Sequence, residues 1–230
     1  MRMIILGPPG AGKGTQARVL AEKYSIAHIA AGDIFRDNIK AGTPLGKQVE
    51  AILKAGTLVP DEVTIKMISE RLDQPDCKNG FILDGFPRNV AQAEALEKML
   101  KEKGIKLDAV VQMTVNDAEL IERISGRFTC SACGEGYHDK FKKPHNPDSC
   151  DKCGAKDTFV RRPDDNAATV KTRLDTYYSQ TKPILPFYES RGMLKTVNGM
   201  ASMADVSSQI LAVLEPKKSS DKCLAPKKQA

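Results

Sequence analysis

Gly7-Pro8-Pro9-Gly10-Ala11-Gly12-Lys13-Gly14-Thr15 stands between a short apolar run, Arg2 to Leu6, and a stretch of helical periodicity from Lys13 to Tyr24. Glycines at such a junction let the backbone curl until successive N–H groups point into one concavity, and the helix N-terminus adds positive partial charge to it. Phosphate oxygens fit there, with Lys13 reaching the terminal phosphates. A strict P-loop has Ser or Thr directly after the lysine, whereas here Gly14 intervenes before Thr15. A glycine-rich turn without a ligand could share the composition; the order strand, loop, helix favours a nucleotide.

Working outward, Phe81 to Asp84 and Ala109 to Thr114 read as further buried strands, with a helix from Asn89 to Lys103 between them. This alternation predicts an α/β fold, a parallel sheet flanked by helices on both faces. After Gly126 the pattern stops. Residues 127 to 163 contain four cysteines and two histidines without helical period, which marks an inserted small domain. Helical periodicity returns from Asn166 through Phe187, and a last helix is expected from Met203 to Leu214.

With 230 residues the chain suits one domain, or a core carrying an insertion. Its opening apolar run, Met3-Ile4-Ile5-Leu6, is too short for a signal peptide or a membrane span, so a cytoplasmic protein without a membrane partner is expected. The net charge of +6 is concentrated at the end: lysines 217, 218, 222, 227 and 228 against Asp221 contribute +4, leaving +2 for the body. That is too little for a polyanion-binding field, and no nucleic-acid partner is expected. The segment 216–230 reads as a disordered basic tail.

A second motif narrows the chemistry. Asp84-Gly85-Phe86-Pro87-Arg88, followed by Gln92, closes an apolar strand. A carboxylate at that strand end, beside the P-loop, can hold the water shell of a phosphate-bound Mg2+; it could also cap a turn. Arg88 can fork onto a phosphate, and the Gln92 amide offers the donor and acceptor that suit an adenine edge. In the insertion, Cys130-Ser131-Ala132-Cys133 and Cys150-Asp151-Lys152-Cys153 have sixteen residues between the inner cysteines, the spacing of a four-thiolate zinc site. Unliganded thiols or a redox pair are the alternative. Four protein ligands would make the zinc structural, while Cys77 and Cys223 have no partner at ligand spacing. His28, His138 and His145 read as structural or exposed.

Together with Ala31-Gly32-Asp33-Ile34-Phe35-Arg36, Leu58-Val59-Pro60-Asp61-Glu62-Val63, Gly126-Arg127-Phe128 and Arg161-Arg162-Pro163-Asp164-Asp165, these motifs make residues 1 to about 214 resemble the adenylate kinases of the long type. The resemblance implies a P-loop nucleoside monophosphate kinase fold. Its core would span 1–29, 60–126 and 164–215, with an AMP-binding segment at 30–59 and a zinc-binding LID at 127–163. It further implies transfer of the ATP terminal phosphoryl group to AMP, giving two ADP, by a monomer. ATP would lie on Gly10, Ala11, Gly12, Lys13, Gly14 and Thr15, with Arg123 stacked on its adenine, Arg127 on its phosphates, Gly136 and Tyr137 near its ribose, and Met200 at its base. AMP would meet Gly32, Arg36, Thr57, Leu58, Val59, Gly85, Phe86, Pro87, Arg88, Gln92, Arg162 and Arg173.

On this reading Lys13, Arg36, Arg88, Arg127, Arg162 and Arg173, with Asp84, form the catalytic set. Their six positive charges face a load of roughly -4 from Mg-ATP and AMP. Two departures stand out: Ala31 replaces a frequent Thr, and Phe128 a frequent second Arg. The rival readings are a GMP or UMP/CMP kinase, which would change the base contacts, a P-loop ATPase or GTPase, which would turn over without a monophosphate, and a zinc-ribbon nucleic-acid binder. Gln92 with the Leu58-Val59 pair favours AMP. The insertion lacks the interleaved basic and aromatic run that grips a strand.

Overall fold

The computed structural model describes residues 1–215; the basic segment 216–230, expected to be disordered, lies outside the described residues. Five parallel strands form the central sheet: β1 (Arg2–Leu6), β2 (Ala27–Ala30), β3 (Phe81–Asp84), β4 (Ala109–Thr114) and β8 (Leu194–Asn198), in the order β2-β3-β1-β4-β8. Three of them coincide with the strands expected from sequence, because each is an unbroken apolar run covered on both faces. Met3 and Ile5 of β1 pack with Ala17, Leu20, Val206 and Ile210. Ile4 and Leu6 point the other way, toward Phe86, Leu96 and Ile184.

Helices α1 (Lys13–Tyr24), α2 (Ala31–Lys40), α3 (Pro44–Ala55), α4 (Asp61–Leu72) and α5 (Val90–Glu102) follow in chain order, then α6 (Asp117–Ser125), α7 (Ala167–Thr176), α8 (Ile184–Glu189) and α9 (Met203–Leu214). The single helix expected over 166–187 is instead broken. A π-turn, Tyr177–Thr181, separates α7 from α8, with Lys182 N–H reaching back to the Tyr177 carbonyl at 2.8 Å. Pro183 supplies the reason, since its ring cannot fit a regular turn against the carbonyl four residues earlier. The widened turn sends the Thr181 hydroxyl to the Arg88 carbonyl at 2.8 Å.

A separate antiparallel sheet, β5 (Arg127–Cys130), β6 (Gly136–His138) and β7 (Phe159–Val160), lies within the cysteine-bearing insertion in the order β6-β5-β7. No helix among the described residues is long and apolar enough to cross a membrane.

Candidate active site

Register places the two motifs side by side. Ile5 pairs with Asp84 across β1 and β3, so the carboxylate stands beside the loop that starts at Gly7. Ala30 pairs with Asp84 from the other side, which brings the start of α2 to the same sheet edge. These are the C-terminal ends of parallel strands, where α/β sheets place their ligands.

Gly12 precedes helix α1 at its N-cap, with a left-handed φ of 88° and no side chain to cap it. The first N–H groups of the helix are therefore free for an anion. Lys13 Nζ donates to the Gly7 and Pro8 carbonyls at 2.7 and 2.9 Å. Desolvation in the cleft pushes its pKa down to about 8, against the pull of Asp84 and with the repulsion of Arg88 and Arg173. At the unusual Gly14 a Cβ would lie 3.3 Å from Asp84 Oδ2, a tight approach. Burial alone would raise the Asp84 pKa, but His28, with Nε2 at 3.5 Å, and the Lys13 ammonium hold the carboxyl below its ordinary range.

The arginines arrive from four segments, and all but Arg88 are held by carboxylates. Arg127 makes a two-pronged contact with Asp165, at 2.9 and 2.5 Å, and Asp165 also receives Arg173 at 3.3 Å. Arg173 reaches Asp164 at 3.0 Å. Asp33 is shared between Arg36, its neighbour on α2, and Arg162, which approaches at 3.3 Å from the end of the insertion. Arg88 donates from Nε to the Gly85 carbonyl at 2.9 Å. Desolvation, followed by repulsion from Arg173, lowers the Arg88 pKa to about 10, and desolvation with Arg127 lowers that of Arg162 to about 9. The six cations thus face Asp33, Asp84, Asp164 and Asp165, a surplus of two positive charges rather than six.

Two pockets meet at this cluster. Gly32, Thr57, Leu58, Val59, Gly85, Arg88 and Gln92, seven of the expected residues, line one of them. Ala31, Phe35, Leu53 and Thr64 complete its wall, and the Thr64 hydroxyl bonds the Pro60 carbonyl at 3.2 Å rather than replacing the one absent at Ala31. The other holds Lys13, Pro87 and Arg173, and shares Leu58, Gly85 and Arg88 with the first. Phe86 is fully buried beneath them and joined to Pro87 by a cis peptide bond.

Arg123 and Met200 come together at the far end of the P-loop. Arg123 Nη1 donates to the Gly199 carbonyl at 3.1 Å, and Met200 N–H to Asn198 Oδ1 at 2.9 Å. Sequence reasoning missed Phe141, whose half-exposed ring has the Arg123 guanidinium 5.4 Å from its centre and His138 packed against it. Tyr137, by contrast, turns its side chain away from the cleft. Its hydroxyl lies 3.3 Å from Cys150 Sγ and accepts from Asp151 N–H at 2.8 Å, so Gly136 and the Tyr137 main chain are what the strand can offer a ligand. Phe128 likewise packs inside the insertion, against Tyr137 and Phe159, as strand alternation after Arg127 requires.

Among the described residues, Cys130, Cys133, Cys150 and Cys153 form one group tight enough to hold a metal ion. Sulfur separations of 3.7 Å for Cys130 to Cys153 and 3.6 Å for Cys133 to Cys150 match the edge of a tetrahedron with metal–sulfur bonds of about 2.3 Å. Each Cys-x-x-Cys pair is followed by a left-handed glycine, Gly134 or Gly154, whose N–H bonds the first cysteine's carbonyl at 2.8 Å. The Thr158 hydroxyl, 3.2 Å from Cys130 Sγ, draws that cysteine's pKa down to about 6, while burial pushes that of Cys133 up to about 12.

Arg18 and Glu22 of α1 dock this lobe onto the core, through the Gly134 carbonyl and, at 2.6 Å, Lys152. The adenylate kinase family model matches residues 5–193. The chain is 51% identical over 214 residues to the adenylate kinase of Rhizobium etli, covering 93% of this chain and 99% of that protein. It is 50% identical over 218 residues to that of Paramagnetospirillum magneticum, covering 95% and 100%, and 52% over 213 residues to that of Moorella thermoacetica, covering 93% and 96%. The match takes in the P-loop, both pockets and the cysteine lobe in one continuous stretch, and so the chain belongs to the adenylate kinase family.

Proposed function

We propose that the chain catalyses reversible transfer of the terminal phosphoryl group of Mg-ATP to AMP, giving two ADP. The observation that carries this is the shared wall at Arg88: one pocket with an apolar, amide-bearing end opens at that guanidinium onto the cleft of Lys13. AMP would occupy the first pocket and the ATP phosphates the P-loop, with the ATP adenine between Arg123, Phe141 and the Met200 loop. An AMP phosphate oxygen is anionic at neutral pH, so the site needs no general base and acts by alignment and charge stabilisation. Asp33, Asp164 and Asp165 would hold the arginines in place before the phosphates arrive, which removes reorganisation from the reacting step.

Asp84 is the residue placed to hold the water shell of Mg2+, which supplies neutralisation of the transferring phosphates. The four cysteines would hold a structural Zn2+, with no open position for chemistry. Residues 127–163 would then serve as the LID, 30–59 as the AMP-binding segment, and 1–29, 60–126 and 164–215 as the core. We place the protein in the cytoplasm as a monomer.

Incubation of the purified protein with Mg-ATP, alone and with AMP, GMP, UMP or CMP, followed by nucleotide chromatography, tests the reading. Two ADP for each ATP consumed, rapidly and with AMP only, is the expected result. ADP and phosphate formed without any monophosphate would make the protein an ATPase.

A pH profile tests the role of Lys13. Its pKa, pushed down to about 8, lies below the ordinary lysine value of 10.5, so the ammonium that would meet ATP is present below about pH 8 and is lost above it. Because holding that charge in the cleft is unfavourable, folding stability itself gains as pH rises from about 8 toward 10.5. The kcat/KM for ATP should run the other way and fall roughly tenfold per pH unit above about pH 8. A flat profile to pH 9.5 would remove Lys13 from the phosphate site.

A further inference from the structure

The orientation of the Gln92 side chain is fixed from both ends. Its Oε1 accepts from the Arg88 backbone N–H at 2.8 Å, and its Nε2 donates to Asp61 Oδ1 at 2.7 Å. Asp61 is itself clamped, since Asn89 Nδ2 donates to both of its oxygens, at 2.9 and 3.1 Å. Asn89 in turn caps α5 by accepting the Gln92 backbone N–H at 2.8 Å. Gln92 is 2% exposed and lines the pocket proposed for AMP.

A backbone N–H can only donate, and an ionised carboxylate can only accept. Turning the amide over would set N–H against N–H at Arg88 and carbonyl against carboxylate at Asp61, leaving buried polar groups opposed. The amide therefore has one settled polarity, with one N–H and one lone pair left over. A base in the pocket meets these as a donor and an acceptor in fixed order. Adenine presents an acceptor at N1 and a donor at N6, whereas a 6-oxopurine presents a donor at N1 and an acceptor at O6. With the phosphate anchored at Arg88, the base cannot turn over to restore the match.

We propose that Asp61 is a positioning residue for purine selection: by locking the Gln92 amide in one orientation, it makes the acceptor pocket take a 6-aminopurine monophosphate and reject its 6-oxo counterpart. The inference rests on the reading of this pocket as the AMP site. It assigns Asp61 a role at a distance from the reacting atoms, acting through Gln92.

The test is the ratio of kcat/KM for AMP to that for inosine monophosphate, measured on the same preparation of wild type, Asp61→Ala and Asp61→Asn. Such a ratio does not depend on the fraction of enzyme that is folded. Asp61→Ala should lower it about tenfold or more. Asp61→Asn, which keeps an acceptor where Oδ1 lies, should hold it within about threefold of wild type. An unchanged ratio in Asp61→Ala, with both kcat/KM values falling together, overturns the proposal. A wild type that prefers inosine monophosphate, or uses neither nucleotide, overturns the AMP reading instead.

A measurement on the unsubstituted protein covers the case in which Asp61→Ala does not fold. The Gln92 side-chain amide protons, assigned by their loss in Gln92→Leu, should exchange slowly in NMR spectra taken without AMP. Exchange as fast as that of an exposed glutamine overturns the lock.

Discussion

Replacing Arg88 by lysine should lower kcat by about a thousandfold, with the melting temperature changed by only a few degrees. Arg88 lines both pockets, and its Nε is already committed to the Gly85 carbonyl at 2.9 Å. The planar fork leaves its terminal nitrogens free while that anchor holds, so the guanidinium enters catalysis already aimed. A lysine would offer a single ammonium, which cannot hold Gly85 and a phosphate at once. The cleft would also shift its protonation, as it does for Lys13, whereas Arg88 at about 10 stays charged at neutral pH. Steady-state kinetics with both nucleotides saturating, paired with thermal denaturation, reads the effect. A kcat within tenfold of wild type would mean that Arg88 binds without contributing to the transition state.

Arg88 follows one of the elements that the sequence makes most legible. Strands β1, β3 and β4 are covered on both faces and therefore stand out as apolar runs, and the two motifs that meet at the cleft follow β1 and β3. Strands β2 and β8 lie at the sheet edges and went unread: His28 interrupts the first, and exposed Lys195, Thr196 and Asn198 dilute the second. The carboxylates were hidden for a different reason. Arg127 finds Asp165 38 residues away, and Arg162 finds Asp33 at 129, and no local pattern announces such pairings. Counting cations by motif therefore overstated the charge of the cleft. Asp61 was masked in another way, because an acidic residue directly after Pro60 at the start of α4 reads as an ordinary first-turn residue. Tyr137 and Phe128 show the limit of motif position, since strand alternation decided which way each side chain points.

Stripping the metal from the cysteine lobe should lower the melting temperature by about 10 °C and reduce kcat/KM by about a hundredfold, both recovered on adding Zn2+. The lobe's own apolar core consists of Cys130, Tyr137 and Cys150, with Phe128, Ala155 and Phe159 packed around them. Two of its three fully covered members would be ligands, so loss of the metal would remove the centre of the packing as well as the bonds. Without that centre, four sulfurs within 4.8 Å of one another become mutually repelling as thiolates. The damage would reach the active site along β5, where Arg127 stands three residues before Cys130 and is held to Asp165. Arg162 follows β7 by two residues, and its reach to Asp33 depends on where that strand ends. Metal analysis, thermal denaturation and kinetics on the same samples, before and after chelation, separate the two effects. If depleted protein melts and turns over as before, the cysteines do not hold the lobe together. If it melts lower but turns over normally, the lobe does not position Arg127 and Arg162.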